Sequence, residues 1–232
     1  MLAVHTVREG WQSERTALIN RTRGLLSEFG IWLSRGPRRV LRVLPALVDD
    51  ERLPTRVRLV LGQIRDQIAL LDAQIKAADL EIKAHAQQDD NVRRVQAISG
   101  VGAVTASALI ATVANANDFR NGRQLAAWLG VVPRQSSSGG KERLGRITKR
   151  GDTYLRGLLT QGARSTLLAA QRCKPDERTR LQAWMVATHD RIGYHKTLVA
   201  IANKHARMLW AILAHGQHYD PTGWRRYAPA AT

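Results

Sequence analysis

Across 232 residues, 36 lysines and arginines stand against 19 aspartates and glutamates, a formal net charge of +17. That length suffices for one ordinary domain or two small ones, and the charge excludes a neutral-surfaced metabolic enzyme while predicting salt-sensitive attraction to a polyanion, nucleic acid above all. The single cysteine, Cys173, rules out an internal disulfide and fits a reducing cytosol, and neither a signal-type apolar core nor a run of about 18 uncharged apolar residues suggests export or a membrane partner.

In chain order, residues 3–30 read as a helix with Val4, Val7, Trp11, Leu18, Leu25 and Phe29 on one face. Gly30 and then Ser34-Arg35-Gly36-Pro37 break it, and a basic patch of Arg35, Arg38, Arg39 and Arg42 follows. Residues 55–87 are the clearest periodic segment: Val57, Leu61, Ile64, Ile68, Leu71, Ile75, Ala78 and Ile82 alternate in steps of four and three. That is a coiled-coil seam, and it suits equally an antiparallel hairpin with the first helix or an arm that pairs with a second chain. Asp89-Asp90-Asn91 ends this segment as an acidic cap and a domain boundary, giving an assembly arm over 1–90 and a second domain over 91–220, with an irregular tail over 221–232.

Residues 92–115 place two short apolar helices around Gly100-Val101-Gly102, the spacing of a helix-hairpin-helix. Glycines there permit positive φ and close approach of a phosphate, the second helix's N-terminal amides point at it, and Thr105 or Ser107 adds a hydroxyl. A plain hairpin with glycine in its turn is the alternative. A helix over 118–132 turns Leu125, Trp128 and Leu129 inward. After a polar loop at 134–152, helices follow from Thr153 past Leu168, over 177–188 and over 195–214, the last burying Leu198, Ile201, Ala202, Leu209, Ile212 and Leu213. Strand signals are weak throughout, so the fold class is mainly α.

The loop RQSSSGGKERLGRITKRGD holds the chemistry. Ser136-Ser137-Ser138-Gly139-Gly140 sits among Arg134, Lys141, Arg143, Arg146, Lys149 and Arg150, with Arg156 just beyond. Cations beside a serine stabilise its alkoxide and clamp a phosphate whose charge builds in the transition state. Attack on a phosphodiester conserves bond energy in a phosphoserine link, whereas a solvated basic loop would only grip phosphate. A P-loop fails at Gln135 and Glu142. Aromatics make up only 5%, which argues against a stacking platform for single strands. His215 and His218 lack a second pair for a tetrahedral metal, and His189, His195 and His205 read as polar helix-face residues, so no metal ligands are expected.

The runs AISGVGAVTASALIA and FRNGRQLAAWLGVVPRQSSSGGKERLGRITKRGDTYLRGLL strongly resemble the transposases of the insertion-sequence 110 family. The resemblance covers roughly residues 1–215 and is most specific over 95–165. It implies a site-specific recombinase of a bacterial mobile element that acts on DNA, in some members with a guide RNA, as a dimer or tetramer in the cytoplasm beside the nucleoid. It further implies a coiled-coil linker, matching residues 1–90, and a C-terminal transposase domain whose serine falls at Ser138, with Ser137 the alternate. Family members also carry an acidic, magnesium-binding RuvC-like domain. Nothing here matches it, so no cofactor is expected in this chain, and a fragment or a decayed remnant is the expectation.

Overall fold

The computed structural model describes residues 1–135 and 144–220, and over these the chain is mainly helical, as the periodicity predicts. No helix among the described residues is long and apolar enough to cross a membrane. The chain divides into two compact units, Met1–Ile82 and Lys83–Thr232.

The first unit holds α1 (Leu2–Glu28), α2 (Pro37–Val48) and most of α3 (Thr55–Gln88). The repeating seam of α3 is inward as expected, with Leu61, Ile68, Leu71, Ala78 and Ile82 buried. Leu61 and Ile68 share one apolar cluster with Ile19 and Leu26 of α1 and Val40, Leu44 and Leu47 of α2. Two ion pairs set the direction of packing: Arg8 Nε donates to Asp79 at 2.6 Å, and Arg15 reaches Asp72. Arg8 and Arg15 are seven residues apart on α1, and Asp79 and Asp72 are seven apart in the opposite sense on α3. The helices are therefore antiparallel, as the hairpin reading requires.

Those ion pairs also explain a correction. The buried line of α1 is His5, Arg8, Ile19, Thr22 and Leu26, whereas the expected Val7 and Phe29 are 45% and 38% exposed. Drawing Arg8 inward rotates the helix away from its most apolar face. Thr22 tolerates burial because its hydroxyl donates to the Leu18 carbonyl at 2.8 Å. A second correction is α2, where the sequence suggested only a break and a basic patch. Pro37 occupies the first helical turn, where a missing N–H costs nothing. Val40, Leu44 and Leu47 then recur at helical spacing and are buried.

The second unit runs through α4 (Asp90–Gln96), α5 (Ala103–Val113), a 3₁₀ turn (Ala116–Asp118), α6 (Gly122–Trp128), the strands β1 (Pro133–Gln135) and β2 (Leu144–Ile147), α7 (Thr153–Arg172), α8 (Arg180–Ile192) and α9 (Tyr194–His215). Its core gathers Leu109 of α5, Leu125 and Leu129 at α6, Leu155, Leu159 and Leu167 of α7, Met185 of α8 and Ile201 and Leu209 of α9, each at most 1% exposed. Burial of each such side chain contributes about 1.5–3 kcal/mol. The starts of α4, α7 and α8 follow polar caps. Asp89 accepts from the Asn91 and Val92 amides, Asp152 accepts from the Leu155 amide, and Thr179 and Gln182 form a reciprocal capping box.

Three expectations change in this unit. Trp128, expected inward, is 42% exposed and meets Phe119 edge-on at 5.6 Å. The polar loop contains a short antiparallel hairpin, pairing Pro133 with Ile147 and Gln135 with Leu144 across an irregular register. Its strands carry no apolar alternation, because β1 is exposed and exists through ladder pairing alone. His205, expected on a polar face, is fully buried, and neither ring nitrogen has a hydrogen-bond partner. Burial holds its pKa down at about 4.

Candidate nucleic-acid interface

In sequence, the serine segment lies between β1 and β2. Ser136, Ser137, Ser138, Gly139, Gly140, Lys141 and Arg143 lie outside the described residues, as does the expected tail over 221–232. The neck from which the segment springs is described, and it is tightly built. Gly130 takes φ +71°, and a Cβ there would stand 2.8 Å from the Gly151 nitrogen and 2.9 Å from that of Arg150. A Cβ on Gly151 would fall 2.1 Å from the Trp128 carbonyl oxygen. Only glycines let these two backbones touch. The Lys149 amide donates to the Gly130 carbonyl at 3.2 Å and the Thr148 amide to that of Val132 at 3.0 Å, closing the neck beneath the strands.

Arg156 fastens the neck to α7. Its Nη1 donates to the carbonyls of Gly151 at 3.0 Å, Leu129 at 3.4 Å and Asp152 at 3.5 Å, and its Nη2 to the Thr153 hydroxyl at 3.1 Å. The guanidinium thus serves backbone carbonyls and positions the loop. Asn203 of α9 adds a bond from Nδ2 to the Val131 carbonyl at 3.3 Å. Arg134, Arg146, Lys149 and Arg150 are exposed around the neck, and Arg134 also donates to the Thr148 carbonyl at 3.4 Å. Arg134 and Arg146 thus lie on the paired strands and Lys149 and Arg150 at their base, with the serine segment between Arg134 and Arg146 in sequence.

The turn between α4 and α5 lies elsewhere on the same unit. Gly100 has φ +87°, but the backbone close to it is that of α7: a Cβ there would meet the Gly162 carbonyl oxygen at 2.6 Å and Thr166 Cγ2 at 2.7 Å. Reciprocally, a Cβ on Gly162 would fall 2.1 Å from the Gly100 oxygen. Gly102 is exposed, has nothing within 4 Å of a built Cβ, and starts α5 without a side-chain cap. Thr105 is buried, with 7% of its surface exposed. Open space at the start of α5 is therefore centred on Gly102 and the amides that follow it.

Among the described residues, no three His, Cys, Asp or Glu side chains gather as metal ligands. Sequence reasoning also missed a basic, aromatic groove along α9. Its members come from four separated stretches, and no local motif joins them.

A family model described as transposase IS116/IS110/IS902 family matches residues 92–182. The chain is 41% identical over 222 residues to a Pseudomonas aeruginosa protein described as "Probable family 20 transposase", covering 94% of this chain and 64% of that protein. It is 39% identical to the transposase for insertion sequence element IS1111A of Coxiella burnetii, covering 94% of this chain and 59% of that protein. It is 34% identical to the transposase for IS1328 of Yersinia enterocolitica, covering 93% and 63%. The chain thus spans about three-fifths of the length of these relatives.

Proposed function

The chain belongs to the IS116/IS110/IS902 transposase family, and from that membership we propose that it binds DNA and carries out strand transfer through a covalent serine link, with Ser138 as nucleophile and Ser137 as the alternate. The Ser138 Oγ attacks the scissile phosphorus, forming the Oγ–P bond as the bond to the leaving sugar oxygen breaks. The serine proton ends on that oxygen. Attack by a new sugar hydroxyl reverses the step, so no ATP is consumed. Arg134, Arg146, Lys149 and Arg150 hold the phosphate and its neighbours, joined by Lys141 and Arg143 from the segment itself. Arg156 keeps the neck in place.

The observation that supports this reading is the neck: backbone contacts at Gly130 and Gly151, fastened by Arg156, underlie a strand pair along which Arg134, Arg146, Lys149 and Arg150 are exposed, with the serines between its strands in sequence. Preorganised charge of this kind stabilises a phosphoryl transition state more than a mobile loop does. The open start of α5 at Gly102 supports a second, backbone-phosphate contact. Leu59, Leu70 and Leu80, exposed on one side of α3, support self-association into a dimer or tetramer. A guide RNA and a place beside the bacterial nucleoid belong to the same proposal, as does a magnesium-binding partner domain outside this chain.

The test is a suicide DNA substrate offered to the chain with the partner domain and guide RNA supplied in trans. A denaturation-resistant protein–DNA adduct is expected, and it disappears in Ser138→Ala. An adduct that persists in both Ser138→Ala and Ser137→Ala overturns the assignment. Failure of the unaltered chain to form one leaves a non-catalytic nucleic-acid-binding and oligomerisation module as the better reading.

A further inference from the structure

α6, α8 and α9 enclose a groove of about 1510 Å³, beyond the roughly 300–1,000 Å³ of a small-molecule site and large enough for part of a polymer. Its wall carries Arg123 from α6 and Lys204 and Arg207 from α9, all exposed, and Asp220 is the one acidic side chain among its described lining residues. The cations crowd one another: the Lys204 ammonium is held below the ordinary lysine range, first by burial and then by the charges of Arg207 and Arg180. An anion placed among them relieves that repulsion.

The same groove collects Trp184, Trp210 and Tyr219, all half-buried. Composition argued against a stacking surface, yet the fold concentrates the few aromatics it has. The Trp210 indole N–H donates to the carbonyls of Ala116 at 3.0 Å and Phe119 at 3.1 Å, which fixes its ring. Lys204 Nζ lies 4.6 Å from the centre of the Trp184 ring, so charge and aromatic surface are already adjacent.

Aromatic faces beside exposed cations suit bases that are free to leave a stack, together with the phosphates that join them. A duplex offers phosphates but keeps its base faces covered. We propose that the groove between α6, α8 and α9 binds an unpaired nucleic-acid strand, with bases against Trp184 and Tyr219 and phosphates against Arg123, Lys204 and Arg207. The inference rests on the nucleic-acid-handling role proposed above. α9 serves both places, because Asn203 holds the serine-loop neck and the next residue, Lys204, lines the groove.

The experiment measures fluorescence anisotropy of the full chain with labelled oligothymidine or oligouridine of about 12 nucleotides, and with a duplex of equal length, across a salt series. The two single strands identify which sugar the groove prefers. For the tighter of them, Lys204→Ala/Arg207→Ala is expected to weaken binding roughly tenfold and to flatten the salt slope by about 1.4, as loss of two phosphate contacts requires. Trp184→Phe is expected to weaken it roughly fivefold with the slope unchanged, while duplex affinity stays within about twofold for both variants. Lys204→Arg, which keeps the charge, retains single-strand binding and controls for folding. Unchanged single-strand affinity in the double variant, or a parallel loss for the duplex, overturns the proposal. Ser138→Ala is expected to bind the strand normally, so failure of the serine adduct and failure of groove binding are separately visible.

Discussion

Two glycines in α7 should respond to the same substitution with opposite signs. Gly157 is exposed, and a Cβ built on it meets nothing within 4 Å. Gly157→Ala therefore gains the helix-propensity difference alone, about 1 kcal/mol of stabilisation. Gly162 lies five residues on in the same helix, where the added Cβ would fall 2.1 Å from the Gly100 carbonyl oxygen. The obstacle is backbone, so α7 and the α4–α5 turn must separate by more than 1 Å, as judged from ordinary contact distances of about 3.5 Å. Overpacking of this kind costs about 1–3 kcal/mol, with rigid backbone at the upper end. After the propensity gain is subtracted, Gly162→Ala is expected to destabilise by about 2 kcal/mol. Urea unfolding followed by far-ultraviolet circular dichroism and by tryptophan emission reads both variants, and in a chain of this size each 1 kcal/mol corresponds to about 2–4 °C in Tm. If Gly162→Ala stabilises as Gly157→Ala does, the close contact between α7 and the turn is wrong.

Further outcomes follow from buried polar groups. His205 has a folded-state pKa of about 4 against an ordinary 6.5, so the unfolded chain takes up its proton first as pH falls. Stability from this group is complete above about pH 6.5 and is lost progressively towards pH 4, by up to about 3 kcal/mol. Comparing urea midpoints at neutral and acid pH should show His205→Leu with a flatter acid limb, and an unchanged limb refutes the assignment. Arg156→Gln, which loses the planar fork and its charge, is expected to cost about 2 kcal/mol and to leave the salt slope of DNA binding unchanged. A fall of about one in that slope would instead make Arg156 a phosphate ligand. Asp79→Asn, beside the largely buried Arg8, should destabilise the first unit by about 1–2 kcal/mol. Asp72→Asn, at a pair half open to water, should cost less than about 0.5 kcal/mol by the same unfolding assay.

The sequence reveals elements whose burial is apolar and regular. The α3 seam and the inward residues of α9 are visible because leucines and isoleucines recur at helical spacing and are buried there. α1 misleads because its buried line includes His5, Arg8 and Thr22, while Val7 and Phe29 face water. Burial there follows ion pairing with α3, which no local window contains. α2 hides behind Pro37 and Pro45, residues that usually mark a break. The hairpin is invisible for a related reason: its strands are polar, and its neck depends on Gly130 and Gly151 meeting across twenty residues of chain. The basic loop and the Gly100 turn were legible as motifs. Their partners were not, since the contacts at Gly162 and the carbonyls served by Arg156 are tertiary. The α9 groove was least legible, because few aromatics in a composition say nothing of where the fold assembles them.

The antiparallel pairing of α1 and α3 also fixes how the two helices can align. A slide of one heptad in one sense would set Arg15 opposite Arg65, two cations face to face, and a slide the other way would leave Arg8 opposite the methyl of Ala86. Either alternative alignment discards at least one carboxylate partner, so the pair has a single favoured phase. A helical hairpin of this kind keeps a fixed length rather than telescoping.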